Sequence, residues 1–224
     1  MDETHSDFRD SAASLRLAEL VAARLCHDFS GPLVALTGGL EAMAEKPASA
    51  GEAIAVVADA AQTLALRLRL LRTAWGGAGP AMDLVELLGL AAGAVNAERV
   101  RFDASGVPSE SVFSPSAARL LLNVMLLGAE SLPAGGRLAL AGSPERDIVV
   151  MIEGPRAAWP AGFAAAIADE AAAWAALSGV RAVQAPLTAL IARYSGLGLS
   201  LLLPAGPTGA DEAPPLLLKL VPDH

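Results

Sequence analysis

The run Cys26-His27-Asp28-Phe29-Ser30-Gly31-Pro32 sets an imidazole beside a carboxylate. Neutral imidazole keeps one ring nitrogen lone pair free, so His27 can serve as a nucleophile or a base. Only two other histidines exist, His5 and His224, both in terminal segments. Leu25, Phe29, Leu33, Leu36, Leu40 and Met43 recur around it at helical spacing, a stripe that needs burial. At about 100° per residue, His27 points away from that stripe and should be reachable from outside. Its neighbours one turn away are Ala23, Arg24, Ser30 and Gly31, three small residues and one cation. Such a platform lets a second protein bring a carboxylate to the ring, with Arg24 offsetting charge on a transferring phosphoryl group. Asp28 is the candidate orienting carboxylate, holding one ring nitrogen protonated while the other attacks. Adjacent helical residues normally face apart, which weighs against that role. Cys26 also diverges from His27 by about 100°, so packing is expected of its thiol rather than a Cys-His dyad. No second His or Cys stands at metal-ligand spacing.

Two helices are needed to present this group. The first is expected from about Ala12 to Glu45, bent by Pro32 one turn beyond the histidine and stopped by Pro47. Ser49 and Glu52 have capping-box spacing and start the second. Within it Ile54, Val57, Ala61, Leu64, Leu68, Leu71 and Trp75 alternate by three and four, a heptad seam, and Gly76, Gly77, Gly79 and Pro80 end it. An antiparallel hairpin in register from its turn brings residues 67–70 beside His27, with Arg67 bordering the docking surface. Val56, Leu66 and Leu70 fall off the seam, so one hairpin leaves apolar surface uncovered. The expected solution is a homodimer that completes a four-helix bundle; cover by the downstream part of the same chain is the alternative.

Beyond residue 80 the texture changes to short helices and strands. Asp83 and Glu86 cap a helix to about Asn96, and Arg99 to Ala104 reads as a strand. Ser114 and Pro115 start a helix through Ala129, with proline at its favoured first position. Residues 137–141 and 147–153 pair as strands, helices follow at about 162–177 and 186–194, and strands close the chain near 197–203 and 216–221. The expected class is α+β: a frayed or disordered segment 1–11, a helical hairpin 12–78, and an α/β sandwich 82–224 with helices on one face.

Composition narrows the setting. The chain has 224 residues, 54% of them hydrophobic, with mean hydropathy +0.47, but Gly and Pro interrupt its apolar stretches and no membrane span is expected. Met1 to Asp10 lack the basic flank and apolar core of a secretory signal, and the lone Cys26 fits a reducing compartment, so a cytoplasmic location is expected. A net charge of -8 argues against a nucleic-acid partner.

His27-Asp28-x-x-x-Pro32 on the first of two antiparallel helices resembles the phosphoacceptor motif of histidine-kinase dimerisation domains, and the region after it resembles their Bergerat-type ATP-binding domain. Residues 25–29, Arg72-Thr73-Ala74-Trp75-Gly76, Leu132-Pro133-Ala134-Gly135-Gly136 and Gly154-Pro155-Arg156-Ala157 together resemble the ChpT-type histidine phosphotransferases of alphaproteobacteria. The resemblance implies a dimeric phosphorelay protein. It would accept a phosphoryl group on His27 from the receiver aspartate of a hybrid histidine kinase and pass it to response-regulator receiver domains. Such a carrier acts through a phosphohistidine and is not an ATP-dependent kinase. It would hold no cofactor itself, the Mg²⁺ sitting in the partner receiver.

An active kinase of this type needs two asparagines about four residues apart, then Asp-x-Gly-x-Gly, then a glycine-rich phosphate loop. Here Asn123 matches the first asparagine, but Leu127 takes the second position and offers no oxygen to Mg²⁺. Ile152 falls at the aspartate, with Glu153 its only acidic substitute, and Arg156 replaces the second glycine. Gly179 to Val183 holds one glycine where the phosphate loop needs several. The second domain is therefore expected not to bind ATP. An authentic kinase with a divergent nucleotide site and an interaction module with an incidental His27 are the competing readings.

Overall fold

The computed structural model describes residues 3–45, 50–77, 79–94, 99–202 and 211–220. Helices α1 (Glu3–Glu45) and α2 (Ala50–Trp75) form the hairpin. α1 starts at Glu3 rather than near Ala12, because no Gly or Pro occurs before Gly31 to interrupt a polar but helix-compatible segment. It continues through Pro32, which supplies no amide to the carbonyl one turn earlier. Pro47 and Ser49, the expected stop and cap, lie outside the described residues, as does Asn96.

The hairpin seam differs from the expected one. Ala53 and Ala60 are buried along α2, and Leu70, Leu71 and Ala74 are buried at its end, whereas Ile54 and Leu68 are 53% and 52% exposed. A three-four alternation fits two neighbouring faces of one helix, and alanine, which lets helices approach closely, takes the inner one. Leu33 and Leu40 of the α1 stripe are likewise exposed.

The second domain follows as β1 (Met82–Asp83), α3 (Leu84–Ala91), β2 (Val100–Gly106), β3 (Val112–Phe113), α4 (Pro115–Glu130), β4 (Gly136–Gly142) and β5 (Asp147–Glu153). Then come α5 (Phe163–Ala168), α6 (Glu170–Ala175), α7 (Gln184–Tyr194), β6 (Gly198–Leu201) and β7 (Leu216–Lys219). Asp83 and Glu86 close the expected capping box on α3, at 2.8 and 3.3 Å, and Ser114 caps α4 with Pro115 at its first position. The helix expected over 162–177 is broken at Asp169, whose extended backbone and carboxylate, accepting from the Ala172 amide at 2.8 Å, cap a new helix.

Five strands form a mixed sheet in the order β2-β4-β5-β7-β6, with β2 parallel to β4 and the other neighbours antiparallel. β1 and β3 make a separate two-residue ribbon, too short to leave a sequence pattern. Ile148, Val150 and Ile152 alternate inward on β5 and join Leu138, Leu140, Leu216 and Leu218 under α4, whose residues 117–118 and 120–129 are all buried. Each large apolar side chain taken fully out of water contributes about 1.5–3 kcal/mol, so this layer holds the domain together. The fold is α+β: a long helical hairpin followed by a mixed-sheet α/β domain.

Candidate functional site

His27 lies on the outer face of α1 with its side chain 55% exposed. Its Nδ1 is 3.4 Å from Asp28 Oδ1, so Nε2 is the nitrogen left toward solvent. A Cβ added at Gly31, one turn further on, would meet nothing within 4 Å, and Ser30 is also exposed, its hydroxyl donating to the Cys26 carbonyl at 2.6 Å. The ring therefore stands over open, small-residue surface. Cys26 is exposed rather than packed, since the helix buries Arg24 and half-buries Leu25 and Asp28 on other faces.

Arg24 was expected on the open platform beside His27 and Arg67 at its border. Asp28 draws both inward, Arg24 to 11% and Arg67 to 12% side-chain exposure, and Arg67 lines a cleft with Gly31 and Pro32. The Asp28 side chain is only 7% exposed; Oδ1 accepts from Arg24 Nε at 2.8 Å and Oδ2 from Arg67 Nη2 at 2.5 Å. Arg24 reaches Asp28 because i and i+4 share a helix face, and its Nη2 donates to Glu130 Oε1 at 2.6 Å, across to the end of α4. Arg67 also donates to the carbonyls of Gly93 and Ala94, at 3.2 and 2.7 Å, in the loop after α3. Gly93 sits so tightly on α2 that an added Cβ would be 2.5 Å from the Leu66 carbonyl oxygen.

Charge follows this geometry. Burial pushes the Asp28 carboxyl up, but the hydrogen bonds and charges of Arg67 and Arg24 outweigh it and hold the group below the ordinary carboxylate value. Burial lowers Arg24, yet Glu130 and Asp28 more than compensate and keep it raised. For Glu130 burial dominates despite Arg24, and its carboxyl is pushed up.

Glu130 escaped the sequence reading because its partner is 106 residues away. One local signal was present: an acid in the last turn of a helix opposes the helix dipole and implies a cation nearby.

The positions that match nucleotide ligands are occupied by internal contacts. Asn123 is fully buried; its Nδ2 donates to the Ala74 and Arg119 carbonyls at 2.8 and 2.9 Å. Its Oδ1 accepts from the Trp75 indole at 3.2 Å and from Gln184 Nε2 at 3.0 Å. Leu127 and Ile152 are buried in the core. Val183, in the segment matching the phosphate loop, packs with Leu177 on Leu20 of α1. Arg156 keeps the left-handed conformation of a glycine turn, with φ 62°. Glu153 pairs with Arg137 at 3.1 Å.

The structure thus joins a hairpin that presents a solvent-facing imidazole to an α/β domain in which Asn123, Leu127 and Ile152 are built into packing. The profile of the histidine phosphotransferase C-terminal domain matches residues 84–205, more than half of the chain, and the chain belongs to that family.

Protein phosphotransferase ChpT of Brucella abortus (strain 2308) is 31% identical over 131 residues, which cover 57% of this chain and 61% of ChpT. The chain thus matches about three fifths of that relative's length. A solved structure of a bacterial phosphotransferase superposes with a TM-score of 0.67 at 25% identity, covering 91% of this chain and 95% of that one. Among the described residues, no helix is long and apolar enough to cross a membrane.

Proposed function

We propose that this chain is a histidine phosphotransferase of a two-component phosphorelay, taking a phosphoryl group on His27 from the receiver aspartate of a hybrid histidine kinase and passing it to response-regulator receiver domains. The observation that carries the reading is the outward imidazole with Nδ1 toward a carboxylate and Nε2 free. In the first transfer Nε2 attacks phosphorus in line, the N–P bond forms, the aspartyl P–O bond breaks and the carboxylate leaves. The second transfer reverses these bonds on another receiver. Positioning is most of what the chain contributes. Ser30 and Gly31 keep the approach low, while Arg24 and Arg67 act on the site through Asp28.

The Mg²⁺ of these transfers is assigned to the receiver domains. Asp28, the carboxylate beside His27, is engaged by two guanidinium groups. The engagement of Asn123 and Val183 in contacts with the hairpin supports a second domain that does not bind ATP.

Leu33 and Leu40 on α1 and Ile54 and Leu68 on α2 leave apolar surface exposed on both helices of the hairpin. Such surface supports a homodimer in which two hairpins make a four-helix bundle. Incubation with a phosphorylated receiver domain tests the reading: wild type should gain an acid-labile, base-stable phosphoryl group, and His27→Gln should not. Labelling from ATP alone would instead identify a kinase.

A further inference from the structure

The chain of contacts Glu130–Arg24–Asp28–His27 joins the α/β domain to the reacting ring. Arg24 Nη2 is 2.6 Å from Glu130 and its Nε is 2.8 Å from Asp28, so a single planar guanidinium bridges the two carboxylates. The Arg24 side chain is 11% exposed and Asp28 7%, so neither group can turn to solvent for an alternative partner. Arg67 fixes the other carboxylate oxygen and is itself tied to the carbonyls of Gly93 and Ala94. Both oxygens of Asp28 are thus held, and Oδ1 faces His27 Nδ1. Glu130 sets the far end of the Arg24 fork.

We propose that Glu130, on the α/β domain, is a positioning residue for phosphoryl transfer: it fixes Arg24, which aims Asp28 at the Nδ1–H of His27 and so leaves Nε2 as the attacking nitrogen. The inference rests on the phosphotransfer reading of His27. A staple between domains would require only that Glu130 meet some cation. The fork geometry does more, because Nε and Nη2 of one rigid plane cannot reach their two acceptors unless both acceptors are in place. Glu130 then links the placement of the α/β domain to the tautomer of a ring on the hairpin.

Glu130→Gln preserves shape and an acceptor oxygen but removes the charge; Arg24→Lys keeps the charge but not the fork. Two readouts apply to each variant in the full-length protein. The first is ¹⁵N NMR of the unphosphorylated His27 ring, which needs no phosphotransfer. Wild type should show the Nδ1–H tautomer, and both variants a shift toward Nε2–H. The second is the rate of phosphoryl uptake from a phosphorylated receiver. It should fall about tenfold at saturating receiver with KM changed less than twofold, short of the roughly hundredfold that a 1 Å misplacement can cost.

If both variants only lower Tm and leave the His27 tautomer as in wild type, Glu130 is a structural staple and the proposal is overturned. An unchanged rate at saturation overturns it as well. If wild-type His27 takes up no phosphoryl group, the phosphotransfer reading fails, and the tautomer measurement alone decides whether Glu130 governs the ring.

Discussion

Replacing Asn123 with Ala separates a structural asparagine from a nucleotide ligand. The side chain is fully buried and makes four hydrogen bonds, two as donor and two as acceptor. Truncation leaves the Trp75 indole N–H without its partner. The Ala74 carbonyl keeps Arg119 at 3.2 Å, and Gln184 keeps Thr188 at 3.1 Å, so those losses are partial. One orphaned donor, several weakened bonds and a small cavity together cost about 3 kcal/mol. For a chain of 224 residues, each kcal/mol moves Tm by about 2–4 °C, so a fall of about 6–12 °C is expected. Thermal unfolding followed by circular dichroism, with and without Mg²⁺ and ATP, measures it. The same nucleotide should leave wild-type Tm unchanged. A drop below about 2 °C in Asn123→Ala, or a nucleotide-dependent rise in wild type that this variant abolishes, would refute the structural role.

Asp28→Asn should destabilise the protein by about 3 kcal/mol at pH 7, since it leaves two buried guanidinium groups short of a counter-charge. Asp28 has a lowered folded-state value, so its stabilisation is present above the ordinary carboxylate value of 3.8 and is lost as pH falls through the folded one. Urea unfolding should therefore show the gap between variant and wild type closing as the pH falls below 3.8; a constant gap argues against the ion pairs as its source. Gly93→Ala forces backbone apart at Leu66 and should cost about 1–3 kcal/mol, with faster hydrogen exchange in the loop after α3. Wild-type stability in that variant would show that the loop is not anchored there. Ile54→Glu with Leu68→Glu should halve the mass found by light scattering while helicity is retained; an unchanged mass places any dimer contact elsewhere.

Local chemistry carried much of the architecture. The Asp83–Glu86 box, the Ser114-Pro115 start and the strands around 137–141 and 147–153 are set by residues within one turn or one hairpin of each other, and the structure has them. The outward direction of His27 followed from helical phase in the same way. The fates of Arg24 and Arg67 did not, because burial there depends on Glu130 and on the loop at Gly93, distant in sequence and adjacent only after folding. The α2 seam was ambiguous for a related reason. Alanine carries little hydrophobic signal, yet Ala53 and Ala60 take the inner face and turn Ile54 and Leu68 outward. The helical stretch expected over 162–177 runs through Asp169, although its side chain competes for a free amide better at a helix start than in the middle.

Trp75 to Asn123, Arg67 to Gly93 and Arg24 to Glu130 moor one domain to the other at three points that do not share a line in the sequence. A tripod of this kind resists swinging in any direction. In this arrangement the His27 side chain is 55% exposed, so no internal undocking has to precede an encounter. In the proposed relay, the time course of transfer then shows no lag at any receiver concentration, as with a runner who stands still while the others move.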